Sequence, residues 1–333
     1  MTAVREAPRT LTSDTRFDDA IVVIPCYRVE QHIAGVIRSI PPRFRTIICV
    51  DDASPDRTAE VIESLADPRV TLVRRPVNGG VGAAMKSGYR EAMHRRAAVC
   101  VKMDGDGQMS AEDLDDLVAA LLEETGADYA KGNRFVDVRA LQRMPRTRLI
   151  GNAMLSFASK VACGYWNMLD VTNGFTAITT PMLRRIDLDR VSDRYFFETS
   201  MLIELNILRA SVVDVAMPAR YGNETSSMRL VRVLTTFPAL LLRGLMRRFY
   251  WRYLIEDFSV TSICVLLGIP LLLFGAGFGG IRWWDSHVTG LPATAGTVFV
   301  AALPVILGFQ LLLAALLLDV LSSPTRKRHR DAA

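Results

Sequence analysis

The sequence predicts an α/β fold, a mainly parallel sheet covered on both faces by helices, with two membrane spans at its C-terminal end. Three observations predict it. Short apolar runs alternate with amphipathic segments through the first third of the chain. Two of those runs end in acids, at Asp51 and Asp104, as strands ending in turns do. Near the C-terminus two uncharged stretches each exceed the roughly 20 apolar residues that a spanning helix needs. The chain has 333 residues, half of them hydrophobic, which is enough for one large soluble domain and a membrane piece.

The elements follow in order. Residues 1–19 are polar, lack an apolar signal segment and are expected to form a mobile tail. Ala20–Ile24 reads as a strand and Gln31–Ser39 as a helix. Thr46–Val50 is a strand and Thr58–Leu65 a helix. Val70–Val73 is a strand and Gly82–His94 a helix. Ala97–Met103 is a strand and Ala111–Glu123 a helix. This βαβα rhythm implies a parallel sheet, whose ligands bind beyond the carboxyl ends of the strands.

Three of these strand ends carry chemistry. The first continues into Pro25-Cys26-Tyr27-Arg28, with no glycine fingerprint, which argues against a dinucleotide fold. The second ends in Asp51-Asp52, acids able to accept from a base or ribose; Ser54 or Asp56 then caps the next helix. The fourth ends in Asp104-Gly105-Asp106-Gly107-Gln108, two carboxylates one residue apart that can share a divalent cation, which in turn can hold a diphosphate. That segment also matches the middle of an EF-hand loop, but Lys102 stands where an acid is needed and the incoming segment is β-like. Asn78 to Ser87 looks like a phosphate loop until Met85, which replaces the glycine before Lys86. Its glycines still suit an anion at a helix start.

The spans are Ser259–Ile281 and Pro292–Leu318, with Pro270 and Pro304 tolerated inside them as kinks. Arg243, Arg247, Arg248 and Arg252 precede the first; Arg326, Lys327, Arg328 and Arg330 follow the second; the loop Arg282–His287 carries one arginine. The positive-inside bias puts the N-terminal domain and the tail in the cytoplasm, with Trp283 and Trp284 at the far interface. The net charge of +5 is mostly juxtamembrane arginine and fits an anionic lipid surface rather than nucleic acid. Five cysteines without CxxC spacing read as small core residues of a reducing compartment. Arg143, Arg146 and Arg148 lead into Leu149–Val161, which reads either as an interfacial helix over 145–165 or as a core helix; Leu230–Trp251 reads as a second interfacial helix.

Taken in order, these motifs resemble family 2 glycosyltransferases of GT-A fold, a Rossmann-like architecture, and specifically the polyprenyl-phosphate (dolichol-phosphate) sugar synthases. The resemblance is carried by Ile24–Glu30, Val50–Ser54, Asn78–Gly82, Asp104–Gln108, Gly132-Asn133-Arg134, Asp170–Phe175, Phe196-Phe197-Glu198 and Arg220–Ser226. It implies a catalytic domain over 20–229, a juxtamembrane helix over 230–258, two spans over 259–320 and a basic cytoplasmic tail over 321–333. It also implies roles. Pro25, Tyr27, Glu30, Asp52 and Lys86 would border the nucleotide. Asp104, Asp106 and Gln108 would face Mg²⁺ or Mn²⁺ and the diphosphate. Arg134, Arg146, Arg220 and Ser226 would face phosphate. Asp170 would position the sugar or an arginine, and Glu198 a sugar hydroxyl or Arg220. Gly105 and Val171 depart from the common Ala and Pro without removing a functional side chain.

The implied activity is transfer of a monosaccharide, with inversion, from a UDP-sugar or GDP-mannose to a polyprenyl (dolichyl or undecaprenyl) monophosphate. The implied place is the cytoplasmic face of the inner (plasma) membrane; a homo-oligomer is left open. Two other readings compete. A processive polysaccharide synthase would generally have more spans and a QxxRW-like motif, whereas here Arg252 follows Trp251 in the wrong order. A non-catalytic nucleotide-binding membrane protein would not need the acids and arginines.

Overall fold

A computed structural model describes residues 19–122, 126–134, 146–171, 173–218 and 230–324, without the side chains of 146–150, 152, 153 and 230–235. The expected tail over 1–18, Arg143, Arg220, Ser226 and the basic segment 325–333 lie outside the described residues. The elements are β1 (Ala20–Cys26), α1 (Ile33–Ser39), β2 (Thr46–Asp51), α2 (Thr58–Ser64), β3 (Val70–Arg74), α3 (Val81–His94), β4 (Val99–Lys102), α4 (Leu114–Leu122), β5 (Tyr129–Asn133), α5 (Arg146–Cys163), β6 (Thr176–Thr179), α6 (Thr180–Leu183), α7 (Phe197–Ile207), β7 (Val212–Ala216), α8 (Leu230–Phe249), α9 (Val260–Thr289) and α10 (Ala295–Leu321).

Seven strands form one sheet in the order β3-β2-β1-β4-β6-β5-β7. The first four are parallel; β6 runs against both β4 and β5, and β7 is parallel to β5. The period of two that made the strands legible also sorts their side chains. Ile21, Val23, Ile48, Val50 and Cys100 pack with Met85 and Tyr89 of α3 and Met201 and Leu205 of α7. Ala20, Val22, Ile24, Ile47, Cys49 and Val101 pack with Ile33 and Ile37 of α1 and Leu117 and Leu121 of α4. Each fully buried aliphatic side chain contributes about 1.5–3 kcal/mol. All five cysteines are buried and free.

The C-terminal piece differs from the sequence reading in two ways. The segment Arg282–His287, expected as a loop, is the continuation of α9, which stops only where Gly290 takes a left-handed conformation (φ 71°). Nothing before Gly290 interrupts the helix, so its 30 residues reach about 45 Å and carry Trp283 and Trp284 on the last turns. Pro270 and Pro304 stay inside their helices. Both helices are long and apolar enough to cross a membrane.

The second difference concerns the arginines before α9. Arg248 and Arg252 are buried rather than turned to headgroups, at 3% and 6% exposure. Arg248 forks onto Asp319 of α10 at 2.7 and 3.0 Å and reaches the carbonyls of Ala162 and Val161 at the end of α5. Arg252 joins Asn206 of α7 to Ser322. Trp166 and Tyr253 also donate to Asp319. The C-terminal end of α10 is thereby bolted to α8 and, through Arg248, to the end of α5. The electrostatic reason is that an acid at the end of an apolar helix needs a cation, and α8 supplies one.

Candidate active site beyond the strand ends

A cleft of about 890 Å³ opens beyond β1, β2 and β4. It is lined by Pro25, Tyr27, Asp52, Asp104, Asp106 and Gln108, by Arg134, Asn173 and Glu198, and by Leu155 and Ser159 of α5 and Phe237 of α8. Parallel strands ending on one edge bring these distant segments together. Arg28 (φ 57°) and Ala53 (φ 53°) adopt left-handed backbone in the loops after β1 and β2, a costly conformation for such residues that tends to mark functional loops. Ser54 Oγ, accepting from the Arg28 amide at 3.2 Å, ties the two loops together.

The acid turn is organised from within. Asp106 Oδ1 accepts the Gln108 amide at 3.0 Å, and Asp104 Oδ1 accepts from Lys102 Nζ at 2.6 Å. Among the described residues no group of three or more His, Cys, Asp or Glu could hold a metal alone. The donors at the turn are nevertheless hard oxygens, two carboxylates and an amide. Such a set suits Mg²⁺ or Mn²⁺ when substrate phosphates complete the coordination.

Arg134 is clamped by Asp170. Its guanidinium donates to the two carboxylate oxygens at 2.8 and 3.2 Å, and its amide donates to one of them at 3.3 Å. Asp170 is fully buried. Burial opposes its ionisation, but the hydrogen bonds and charge of Arg134 prevail and hold its carboxyl below the usual range. The fork fixes the plane of Arg134 while its side chain stays 40% exposed toward the cleft, the arrangement that suits binding of a phosphate.

Other expected residues sit differently. Asp52 lines the cleft, yet its carboxylate accepts the amides of Gly79 and Gly80 at 3.0 and 2.7 Å and also holds Arg75. The glycine segment is therefore held by the chain's own Asp52, while Asn78, Gly80, Val81 and Ala84 still line the cleft. Ala83 donates to the Asp193 carbonyl, and a Cβ at Gly82 would fall 2.1 Å from the Ser192 carbonyl oxygen. Lys86 pairs with Asp193 at 2.8 Å, and Glu30 accepts the Arg57 amide at 3.0 Å; neither lines the cleft. Asp56 receives both the amide and hydroxyl of Thr58 at the start of α2. Arg146 opens α5 with its side chain undescribed.

Two lysines were given no functional role from the sequence. Lys102 of β4 and Lys131 of β5 flank Thr176 of β6 in register, on the face covered by α7. Glu198, in the first turn of α7, lies 3.5 Å from Lys102 Nζ. For Lys102 burial works against the charge, but Asp104 and Glu198 outweigh it and its pKa rises. For Lys131 burial prevails over the pull of Glu198 and Asp170, and the pKa falls to about 8. The usable signal was a lysine at an inward position of an otherwise apolar strand.

The glycosyl transferase family 2 profile matches residues 21–187. The chain is similar to polyprenol monophosphomannose synthase of Mycolicibacterium smegmatis, 32% identical over 63% of this chain and 79% of that one. It is similar to undecaprenyl-phosphate mannosyltransferase of Micrococcus luteus, 30% identical over 59% and 81%. The fold is similar to that of glucosyl-3-phosphoglycerate synthase from Mycobacterium tuberculosis with Mn²⁺, UDP-glucose and phosphoglyceric acid. There the TM-score is 0.52 at 19% identity, covering 72% of this chain and 85% of that one. With the profile spanning half the sequence and the strand-end cleft in place, the chain belongs to glycosyl transferase family 2.

Proposed function

We propose that the protein transfers a monosaccharide from a nucleotide-diphosphate sugar to a polyprenyl monophosphate, with inversion, at the cytoplasmic face of a plasma membrane. The observation that carries this is the composition of one cleft. It is lined by an acid turn, by an arginine clamp and by residues of α5 and α8, and α8 is followed in the chain by two apolar helices. The relatives named for work on polyprenyl phosphates support the acceptor class.

In this reading Asp104 and Asp106, with Gln108, hold Mg²⁺ or Mn²⁺. Bound there, the cation supplies Lewis acidity that offsets charge on the departing nucleoside diphosphate. The rest falls to the chain itself. Pro25 and Tyr27 border the nucleotide from the β1 loop, and Asp52 shapes that wall by holding Gly79 and Gly80 in place. Arg134 and, from the sequence, Arg220 and Ser226 receive phosphate. A phosphomonoester has its second pKa near 6, so the acceptor is mostly dianionic at neutral pH and attacks the anomeric carbon without a strong general base. Arg134 therefore needs to position the phosphate, and Asp170 to position Arg134.

Membranes containing the protein, incubated with labelled UDP- and GDP-sugars and decaprenyl or undecaprenyl phosphate, are expected to yield label in an acid-labile, organic-extractable lipid. Insoluble polymer would point to a processive synthase, and no transfer from any donor would overturn the proposal.

A further inference from the structure

We infer that Lys102 is a built-in counter-cation of the acid turn and makes divalent-metal binding conditional on the nucleotide. The inference rests on the nucleotide-sugar reading of the cleft. Lys102 Nζ donates to Asp104 Oδ1 at 2.6 Å and to the Gly174 carbonyl at 3.1 Å, with Glu198 Oε1 at 3.5 Å on its other side. Its side chain is 1% exposed. The position is enforced from three directions. Register holds Lys102 between Val23 of β1 and Thr176 of β6. Glu198 is anchored on α7. Gly174 leaves the space, since a Cβ there would fall 2.6 Å from Nζ and 3.0 Å from Asp104 Oδ2. The ammonium group is thus held at the cleft wall, against a carboxylate that is itself partly exposed.

A divalent cation approaching Asp104 meets this fixed positive charge at close range and finds one carboxylate oxygen already shared. Lys102 itself is buried, so the repulsion is screened less than between two exposed charges. A nucleoside diphosphate brings the missing negative charge and further oxygen ligands, so cation and nucleotide bind better together than apart. Linkage makes the gain reciprocal: whatever factor the nucleotide adds to metal affinity, the metal adds to nucleotide affinity. Without nucleotide the acid turn rests on Lys102, ordered but weakly receptive to metal. Glu198 takes part by sharing Lys102, which weakens its hold on Asp104.

The test is Mn²⁺ binding to the full chain in detergent, read by loss of the free-ion EPR signal, without nucleotide and with saturating UDP or GDP. For the wild type, nucleotide is expected to raise Mn²⁺ affinity about tenfold or more, within the usual range of coupling. Lys102→Met is expected to bind Mn²⁺ without nucleotide roughly tenfold more tightly and to show a smaller nucleotide effect. Glu198→Gln, at a partly exposed side chain, is expected to move the other way and weaken nucleotide-free binding. If Lys102→Met melts before it can be titrated, the sign of the Glu198→Gln change decides. Unchanged nucleotide-free affinity in the variants, with nucleotide-dependent binding intact in the wild type, overturns the inference and leaves the cleft's reading standing. Absence of nucleotide-dependent Mn²⁺ binding in the wild type overturns both.

Discussion

Asp319→Asn isolates the joint between the two long apolar helices and the rest of the chain. Asp319 is 7% exposed and Arg248 3%. Four donors converge on the carboxylate: two from Arg248, the Trp166 ring nitrogen at 2.9 Å and the Tyr253 hydroxyl. An amide in place of the carboxylate leaves the buried guanidinium without its counter-charge, and breaking such a pair costs about 3–5 kcal/mol. Arg248 keeps the carbonyls of Val161 and Ala162, so the lower figure, about 3 kcal/mol, is the expected loss. At roughly 2 °C per kcal/mol for a large domain, the midpoint should fall by about 6 °C. The assay is thermal unfolding of the full chain in detergent, followed by tryptophan fluorescence. An apolar replacement of the pair, Arg248→Met with Asp319→Leu, should recover much of the loss, because similar swaps of buried ion pairs are often neutral. A fall of under about 2 °C in Asp319→Asn, or a double variant less stable than either single one, would refute the reasoning that this pair is dry and mutually dependent.

Asp170→Asn should free Arg134 from its clamp and cost about 1.5–3 kcal/mol of transition-state stabilisation, a drop of roughly 10- to 100-fold in kcat/KM with nucleotide binding unchanged; steady-state kinetics with a prenyl phosphate acceptor would show it. Lys131 gives a pH signature with a definite sign. Folded, it releases its proton near 8, whereas the unfolded chain holds it to about 10.4, so between those values the unfolded state binds more protons and stability rises with pH. Lys131→Met lacks that rise, and the wild type should gain up to about 3 kcal/mol on it between roughly pH 7.5 and pH 10.5; a constant gap in unfolding free energy across the range would count against a buried, perturbed amine. Gly82→Ala places a Cβ 2.1 Å from the Ser192 carbonyl oxygen and should cost about 1–3 kcal/mol by overpacking, read as a lowered melting midpoint.

What the sequence disclosed, and what it hid, divides along the range of the interactions. β1 to β4 were legible because each is a short apolar run whose pattern is local, and the acid turn was legible because its two carboxylates are one residue apart. Asp170 carried two readings, sugar or arginine, and only its approach to the end of β5 shows that Arg134 occupies it. Lys102 entered the reading merely as a misfit to a calcium loop, since its partners Gly174 and Glu198 lie far along the chain and meet it only once β6 inserts between β4 and β5. The glycine segment was only half legible, for the opposite reason. Its composition favours close backbone approach, but composition cannot say whether the approaching group is a ligand or the chain's own Asp52 and Ser192. Asp319 escaped because the uncharged stretch was read as ending at Leu318, one residue short of it. A lone acid at the end of an apolar helix ought to raise the question of its partner, because the cost of burying it unpaired is too high to leave unmet. Asked that way, the answer lies among the arginines just before the first span. The same cations that fit an anionic lipid surface in the sequence are, in two cases, what ties the end of α10 to the rest of the chain.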